Sequence, residues 1–324
     1  METINKPTIT NQTEFKVLNP YYKIVDFEVN KWAEELNLFE NEEEKIISKN
    51  QHLNKFTSRL YPNANLKELL PISKLILVLF LADDRADRFH GKGKIDFWKN
   101  LLSDFEQGTN NGQGIVWGMI FSEISLIHCN HNLSSIALAG KNFRNLVRNF
   151  IKAGIWESEN LFANNPPLPN EYLKKLKHSS GAEIAIHFLT HIQSNKIDLG
   201  TLYSPELKQL RKTLLLIICL SNDLASFSKE ECSGDFHNLV LLYEIHFKLN
   251  RKESIARVIE KLNLLKKKYL SLLKQVQKNP GICPEKKISI CDSFNGLLLG
   301  CEIWAKEDTG RYVGVVTISN EIEL

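Results

Sequence analysis

The segment that decides the fold is LKELLPISKLILVLFLADDRADR, residues Leu66–Arg88. Its apolar residues cover most faces of a helix, and this pattern is typical of a helix in the centre of a larger bundle. The acidic residues are concentrated at the C-terminal end, where Asp83, Asp84 and Asp87 follow the apolar run. The segment therefore predicts a buried helix that carries carboxylates at one end.

A second apolar helix is predicted at Ser204–Glu230, and it too ends in polar residues. Helical periodicity also covers most of the rest of the chain, without the alternating pattern of strands. The other predicted helices are Val25–Leu38, Glu42–Tyr61, Ile95–Gln107, Gly114–His128, Leu133–Glu159, Asn170–Ser194, Asn238–Leu249, Lys252–Gln277 and Glu285–Thr309. We therefore predict an all-α protein with one domain at residues 16–312, flanked by tails at residues 1–15 and 313–324.

Composition and charge narrow the class of protein. The chain has 324 residues and a formal net charge of +3, so it lacks the basic excess of a nucleic-acid-binding protein. Its longest strongly apolar run, Leu75–Ala82, is much shorter than the roughly 20 residues of a membrane-spanning helix. None of its six cysteines forms a CxxC pair, and its N-terminus is polar. These features predict a cytoplasmic protein with reduced thiols, no membrane span and no nucleic-acid partner.

The first polar constellation is formed by Asp83, Asp84 and Asp87 in FLADDRAD. Asp83 and Asp87 are one helical turn apart on the same face, so their charges repel each other. They also lie at the negative end of the helix dipole. A bound cation would relieve both costs, and oxygen ligands of this kind suit Mg²⁺. The alternative interpretation is a solvated helix end.

The second constellation lies in SNDLASFSKE, residues 221–230. Asn222, Ser226 and Glu230 follow i, i+4, i+8 spacing and form a polar stripe on an apolar helix. Their amide, hydroxyl and carboxylate oxygens are again ligands that Mg²⁺ accepts, and Lys229 is placed to contact an anion held by that metal. Either motif alone is weak evidence, but the two together, each ending an apolar helix, favour a metal-dependent site.

The two motifs resemble the aspartate-rich motif and the Asn-Ser-Glu triad of microbial class I terpene synthases. A third element, Trp304 followed by Arg311 and Tyr312 in IWAKEDTGRY, is similar to the C-terminal element of that family. The resemblance covers Ile72 to Tyr312 and implies a single class I terpenoid synthase α-helical bundle domain. It also implies an enzyme that uses Mg²⁺ to ionise a linear isoprenyl diphosphate and then cyclises the carbocation. The implied metal content is three Mg²⁺ ions together with the bound diphosphate.

The resemblance assigns roles to individual residues. It implies that Asp83 is the main metal ligand of the first motif, that Asp87 is a weaker or indirect ligand, and that Asp84 acts in closure of the site. It further implies that one more Mg²⁺ is bound by Asn222, Ser226 and Glu230. The implied contacts of the diphosphate oxygens are Lys229, Arg311 and Tyr312.

A helix-breaking element of the family also has a counterpart, in YLKKLKHSSGAEIAI. Gly181 matches the small residue that breaks the helix, and Ser180 precedes it. The diphosphate-sensing position then falls on Lys177, where the family usually has Arg. Lysine keeps the charge but loses the bidentate geometry of a guanidinium, so Lys174 and Lys175 are alternative sensors.

Two aromatic residues complete the predicted pocket. Phe80 lies one turn before Asp83, and Trp304 lies near the face of Arg311, so both are candidates for stabilising a cation. Ordinary core packing is the alternative for each. We expect the segment after Trp304 to be mobile without ligand, and Lys177, Arg311 and Tyr312 to engage only with Mg²⁺ and diphosphate.

The resemblance favours farnesyl diphosphate as substrate, followed by geranylgeranyl diphosphate, and it allows a homodimer. Two alternatives stay open. A chain-elongating isoprenyl diphosphate synthase shares the helical fold but resembles a protein with two aspartate-rich motifs. A non-catalytic helical interaction protein would have no reason to place oxygen ligands at the ends of two buried helices.

Overall fold

A computed structural model describes residues 18–311, except residues 112–114, 127–132 and 194–196. Every regular element in this part of the chain is helical, which confirms the all-α prediction. The elements are α1 (Tyr22–Glu35), α2 (Glu42–Asn50), α3 (Leu53–Leu60), α4 (Leu66–Ala86), α5 (Lys92–Asn111), α6 (Ile115–Leu126), α7 (Leu133–Phe162), α8 (Pro169–Ser179), α9 (Ala182–Gln193), α10 (Leu199–Leu202), α11 (Pro205–Ser233), α12 (Leu239–Phe247), α13 (Arg251–Lys278), α14 (Pro284–Ile303) and a π-helical turn (Trp304–Asp308). The predicted tails lie outside the described residues.

Helix α4 lies in the centre of the bundle, as its apolar sequence predicts. It begins at a capping box, in which the side chains of Asn65 and Glu68 each accept the other's backbone N–H. Its apolar side chains are buried, and the helix packs against α1, α3 and α6. Because α4 ends at Ala86, Asp83 and Asp84 lie in its last turn.

Helix α11 carries the second polar motif and packs mainly against α13. Its Asp223 side chain is buried and accepts hydrogen bonds from the Tyr172 hydroxyl at 2.9 Å and from the Leu239 backbone N–H at 3.0 Å. These two bonds join the C-terminal half of α11 to α8 and to the start of α12. The motif therefore lies on a part of the helix that is held from two sides.

The predicted helix Glu42–Tyr61 is wrong as a single element, because α2 and α3 are separate helices. The break occurs at Gln51 and His52, and His52 has a left-handed φ of 51°. The indole of Trp304 donates a hydrogen bond of 2.9 Å to the backbone carbonyl of Gln51. That carbonyl lies at the end of α2, where it has no partner within the helix, so the break is stabilised by a residue from the other end of the chain.

Three further differences concern helix ends and a short element. The predicted helix Asn170–Ser194 is interrupted after Ser179, at the break that the resemblance places at Ser180 and Gly181. The last predicted helix changes to a π-helical turn at Trp304. The short helix α10 was not predicted. The other helices agree with prediction apart from their ends. Within the described residues, no helix has the length and apolar character needed to cross a membrane.

The C-terminal turn is anchored to α3 by ion pairs. The Asp308 carboxylate, whose side chain is 2% exposed, contacts the guanidinium of Arg59 and the ammonium of Lys55. Burial raises the pKa of Asp308, but the hydrogen bonds from Arg59 and Lys55 outweigh burial, so the pKa is lowered overall. The ion pairs therefore stabilise the fold above the ordinary carboxyl pKa of about 4 and lose this effect as pH falls below it.

Asp308→Asn is accordingly expected to lower the free energy of unfolding by about 3 kcal/mol at pH 7, because the two cations lose their carboxylate. The difference from the unsubstituted protein should shrink near pH 3. Urea unfolding at the two pH values measures both, with exposed Asp104→Asn as the control. Equal stabilities at pH 7 would contradict the anchoring role.

Candidate active site

The aspartate-rich motif is in direct contact with Arg311. The Arg311 guanidinium donates to the Asp83 carboxylate at 2.9 Å and to the Asp84 carboxylate at 2.5 Å. The same guanidinium lies over the ring of Phe80, 5.1 Å from its centroid. Asp84 also accepts a hydrogen bond of 2.6 Å from the Gln51 side chain. The first and third sequence motifs therefore meet, although Arg311 lies more than 220 residues after Asp83 and Asp84 along the chain.

Asp87 joins the aspartate-rich motif to the second motif. Its carboxylate accepts from the Lys94 ammonium at 2.9 Å and lies 3.8 Å from the Lys229 ammonium. Lys94 belongs to α5 and Lys229 to α11, so three helices meet at this point. The contact between Asp87 and Lys229 links the C-terminal parts of α4 and α11 through their side chains.

The residues of the predicted stripe on α11 are neighbouring polar groups. The Ser226 hydroxyl donates to the backbone carbonyl of Asn222 at 2.8 Å and lies beside the Glu230 carboxylate. Glu230 accepts a further hydrogen bond of 2.7 Å from the Asn238 side chain. Ser226 is buried, whereas Asn222 is exposed at the same face of the helix.

Both motifs hold carboxylates in surroundings that disfavour negative charge. Burial raises the pKa of Asp83, and the carboxylates of Asp87 and Asp84 raise it further, whereas the cations of Arg311 and Lys229 oppose the shift. Burial raises the pKa of Glu230 well above its ordinary value, and the Asp223 carboxylate adds to this. A bound cation would favour the ionised form of each group.

The donor set fits a hard divalent cation. Among the described residues, no group of three or more imidazole, thiolate or carboxylate side chains is arranged to hold a metal. The donors at the two motifs are instead carboxylate, amide and hydroxyl oxygens, which leave room for water and substrate oxygens in a Mg²⁺ shell. The residues present therefore fit Mg²⁺ better than zinc, which prefers nitrogen and sulfur.

The helix break between α8 and α9 lies beside α11. Gly181 has a φ of 69°, a left-handed conformation that glycine adopts without strain. The Ser180 hydroxyl accepts a hydrogen bond of 3.1 Å from the buried Cys219 thiol of α11. Lys177 is exposed in the last turn of α8. Among the described residues, Lys177 contacts neither Asp83 nor Glu230.

The two predicted pocket aromatics pack together with Phe56. The Trp304 ring is 4.4 Å from the Phe56 ring and 5.9 Å from the Phe80 ring, measured between centroids. Trp304 is 4% exposed, and the Arg311 guanidinium covers a face of Phe80. This arrangement supports a packing role for Trp304. Tyr312, the last predicted site residue, lies outside the described residues.

Four residues at the site were not predicted. Gln51, Lys94 and Asn238 contact Asp84, Asp87 and Glu230, respectively. The fourth is Glu157 of α7, which accepts a hydrogen bond from Ser179 and whose pKa is raised to about 7, mainly by burial. Each comes from an element other than the one that carries the motif, and no spacing pattern in the sequence relates such residues to it.

The geometry thus brings two oxygen-donor motifs and their cations together, and comparison with known proteins decides the family. A profile of the family described as terpene synthase family 2, C-terminal metal binding, matches residues 74–267, which is more than half of the chain. The chain belongs to this family. It is a microbial-type class I terpene synthase, that is, an enzyme of the lyase type, and the alternative of a non-catalytic interaction protein is excluded.

Two relatives and one solved structure illustrate the similarity of this terpene synthase. The microbial terpene synthase-like protein 1 of Selaginella moellendorffii is 25% identical in an alignment that covers 92% of this chain and 87% of that protein. The 4-epi-cubebol synthase ((2E,6E)-farnesyl diphosphate cyclizing) of Streptosporangium roseum is 22% identical over 76% of this chain and 75% of that protein. The linalool/nerolidol synthase structure from Streptomyces clavuligerus shares the fold, with a TM-score of 0.73 at 16% identity, and covers 90% of this chain and 98% of that chain.

Proposed function

We propose that this terpene synthase is a Mg²⁺-dependent cyclase that ionises farnesyl diphosphate and closes the carbocation to a sesquiterpene. The observation that carries the proposal is the meeting of the two motifs, with the Lys229 ammonium 3.8 Å from the Asp87 carboxylate. One substrate diphosphate between these motifs would face oxygen donors for metals and cations for its own oxygens. The catalytic domain in this proposal is residues 16–312.

Five residues are proposed as metal ligands, namely Asp83 on α4, Asn222, Ser226 and Glu230 on α11, and, as a weaker ligand, Asp87. When bound, Mg²⁺ supplies a Lewis acid that stabilises the negative charge on the leaving diphosphate, and the proposed number is three ions. The carboxylates cannot bind an anion themselves, so their role is to hold the cations in place. Burial and neighbouring carboxylates raise the pKa of Asp83 and of Glu230, and a bound cation would favour the ionised form of each group.

The cationic side chains are proposed to bind diphosphate oxygens. Lys229 is 45% exposed and reaches Asp87 only at 3.8 Å, so it retains donors for an anion. Arg311 bonds both Asp83 and Asp84, and contact with diphosphate would require it to exchange a carboxylate for a diphosphate oxygen. Tyr312 and Lys177 are proposed as further diphosphate contacts, and the segment bearing Arg311 and Tyr312 as the cover that excludes water from the cation.

Phe80, Trp304, Ser180 and Gly181 are proposed to shape the pocket. The ring of Phe80 is proposed to stabilise positive charge, and Trp304 to support that ring by packing against it. The broken helix at Gly181 presents backbone groups that a continuous helix would pair internally. The substrate chain length is supported by the 4-epi-cubebol synthase relative, whose name states that it cyclises farnesyl diphosphate. Geranylgeranyl diphosphate is the second candidate substrate.

Gly181→Ala is expected to separate backbone strain from catalysis. A left-handed alanine costs about 1 kcal/mol of stability, and the new methyl group would have Phe150 as its nearest neighbour at 4.0 Å, so no clash adds to this cost. Gly234→Ala is a matched control, because Gly234 has a φ of 75° and open space around it. Both variants should lose similar stability by thermal melting, and only Gly181→Ala should lose turnover. Equal turnover in the two would contradict a role for the break in the reaction.

A chain-elongating synthase is the enzyme alternative, and it predicts a longer diphosphate as product. It is disfavoured because the second motif is Asn222, Ser226 and Glu230 and not a second aspartate-rich motif. The test is incubation with ten-, fifteen- and twenty-carbon diphosphates, with Mg²⁺ or with a chelator, followed by mass spectrometry. Cyclic hydrocarbon or alcohol from the fifteen-carbon substrate supports the proposal, and an elongated diphosphate contradicts it. A cytoplasmic location and a homodimer are further predictions. Cell fractionation would test the location, and light scattering would test the homodimer.

A further inference from the structure

Asn238 is a fully buried polar side chain beside the second motif. It lies at the start of α12, with 0% of its surface exposed. Its amide nitrogen donates to the Glu230 carboxylate at 2.7 Å and to the Asp223 backbone carbonyl at 2.7 Å. Its amide oxygen accepts the Val240 backbone N–H at 2.9 Å and so caps α12. The side chain uses both donor hydrogens and its acceptor at once.

These three bonds fix the amide in one orientation. The cap on Val240 determines which way the amide oxygen points, and the nitrogen must then point towards α11. The Asp223 carbonyl holds the nitrogen from one side, and Asp223 is itself held by Tyr172 and Leu239. Glu230 therefore meets a donor whose position is determined by α11, α8 and α12 together.

The bond to Asn238 occupies one oxygen of the Glu230 carboxylate. This bond of 2.7 Å from a rigid donor restricts the rotation of the glutamate side chain, which is otherwise long and flexible. The Ser226 hydroxyl contacts the same carboxylate. Groups that hydrogen-bond a metal-binding carboxylate in this way orient it, and their loss typically weakens metal binding by about 10- to 100-fold.

We propose that Asn238 is a positioning residue that aims the Glu230 carboxylate at the metal held by Asn222, Ser226 and Glu230. The inference rests on the proposed function, because it requires Glu230 to be a metal ligand. It assigns to Asn238 no contact with metal or substrate. A residue that only caps α12 would affect folding but not the Mg²⁺ requirement.

Asn238→Ser separates the two roles, since serine caps a helix about as well as asparagine but has no amide to donate to Glu230. Asn250→Ser is the matched control, because Asn250 caps α13 by accepting the Glu253 backbone N–H and is exposed. Should Asn238→Ser fold poorly, Asn238→Gly also tolerates the cap position. Glu230→Gln tests the ligand itself.

Two measurements are made on each full-length variant. Calorimetric titration of Mg²⁺ in the presence of inorganic diphosphate gives the affinity directly, without turnover. The rate with farnesyl diphosphate as a function of Mg²⁺ concentration gives the half-saturating concentration. Asn238→Ser is expected to bind Mg²⁺ about 10- to 100-fold more weakly, to recover rate at high Mg²⁺, and to differ from Asn250→Ser in both respects.

Three results would overturn the inference. If Glu230→Gln weakens Mg²⁺ binding and Asn238→Ser does not, Asn238 does not position the ligand, and the proposed function stands. If Asn250→Ser weakens Mg²⁺ binding as much as Asn238→Ser, the effect is not specific to the bond between Asn238 and Glu230. If Glu230→Gln leaves binding unchanged, Glu230 is not a ligand, and both the inference and the proposed ligand set are wrong.

Discussion

Asp83→Asn is expected to lower turnover by about a thousandfold or more, without loss of thermal stability. The substitution removes a carboxylate that holds the cation at the leaving group, and the stabilisation of that charge accounts for a large share of the rate. Asparagine keeps the shape of the side chain and an oxygen that Arg311 can donate to. Because burial and the adjacent carboxylates raise the pKa of Asp83, the folded state disfavours its charge, and a neutral side chain relieves that cost. The melting temperature should therefore stay the same or rise.

The control is Asp96→Asn, an exposed carboxylate on α5. It should change neither turnover nor Mg²⁺ dependence. Steady-state assay of diphosphate release and thermal melting measure the two properties on the same preparations. A variant at Asp83 that melts at a lower temperature and retains most of its activity would contradict the ligand assignment.

The α4 and α11 motifs could be predicted because their signals are local. The run Leu75–Ala82 defines a buried helix by itself, and the spacing of Asn222, Ser226 and Glu230 places three oxygens on one face. The same reasoning failed at His52, where a left-handed residue divides α2 from α3 without a glycine or proline nearby. The stabilising partner there is Trp304, which reaches Gln51 from 253 residues away.

The residues that support the motifs could not be predicted, for a related reason. Lys94 and Asn238 are ordinary in their local sequence: Lys94 lies in the first turn of α5 and Asn238 caps α12. They reach Asp87 and Glu230 only because three-dimensional packing brings α5 and α12 next to α4 and α11. A single sequence records the spacing of residues within a helix, but not which other helices pack beside that helix.

Arg311→Ala is expected to lower turnover by about a hundred- to a thousandfold and to change the product. The guanidinium supplies fixed positive charge beside the leaving group, and loss of such a preorganised donor costs a rate factor of this order. The segment that it anchors is proposed to exclude water. Without that contact, water should capture the cation, and the residual product should shift from cyclic terpene towards acyclic alcohols.

Two variants sharpen this prediction. Arg311→Lys keeps the charge but cannot bond Asp83 and Asp84 through a planar fork, so it should recover only part of the rate. Arg88→Ala is the matched control, since Arg88 lies just after α4 but pairs with Glu40 and Glu44 away from the two motifs. Wild-type rate and product in Arg311→Ala would show that the ion pair with Asp83 and Asp84 is structural.

One measurement tests the proposed cyclase activity most directly. The purified chain is incubated with farnesyl diphosphate and Mg²⁺, and diphosphate release and volatile products are followed together, with Asp83→Asn and a chelator as controls. We expect one diphosphate per terpene formed, with a cyclic sesquiterpene as the main product, a rate about a thousandfold or more lower in Asp83→Asn, and no reaction with the chelator. Release of diphosphate with only acyclic alcohol, or no release with any isoprenyl diphosphate, would contradict the proposal that the two motifs form a cyclase active site.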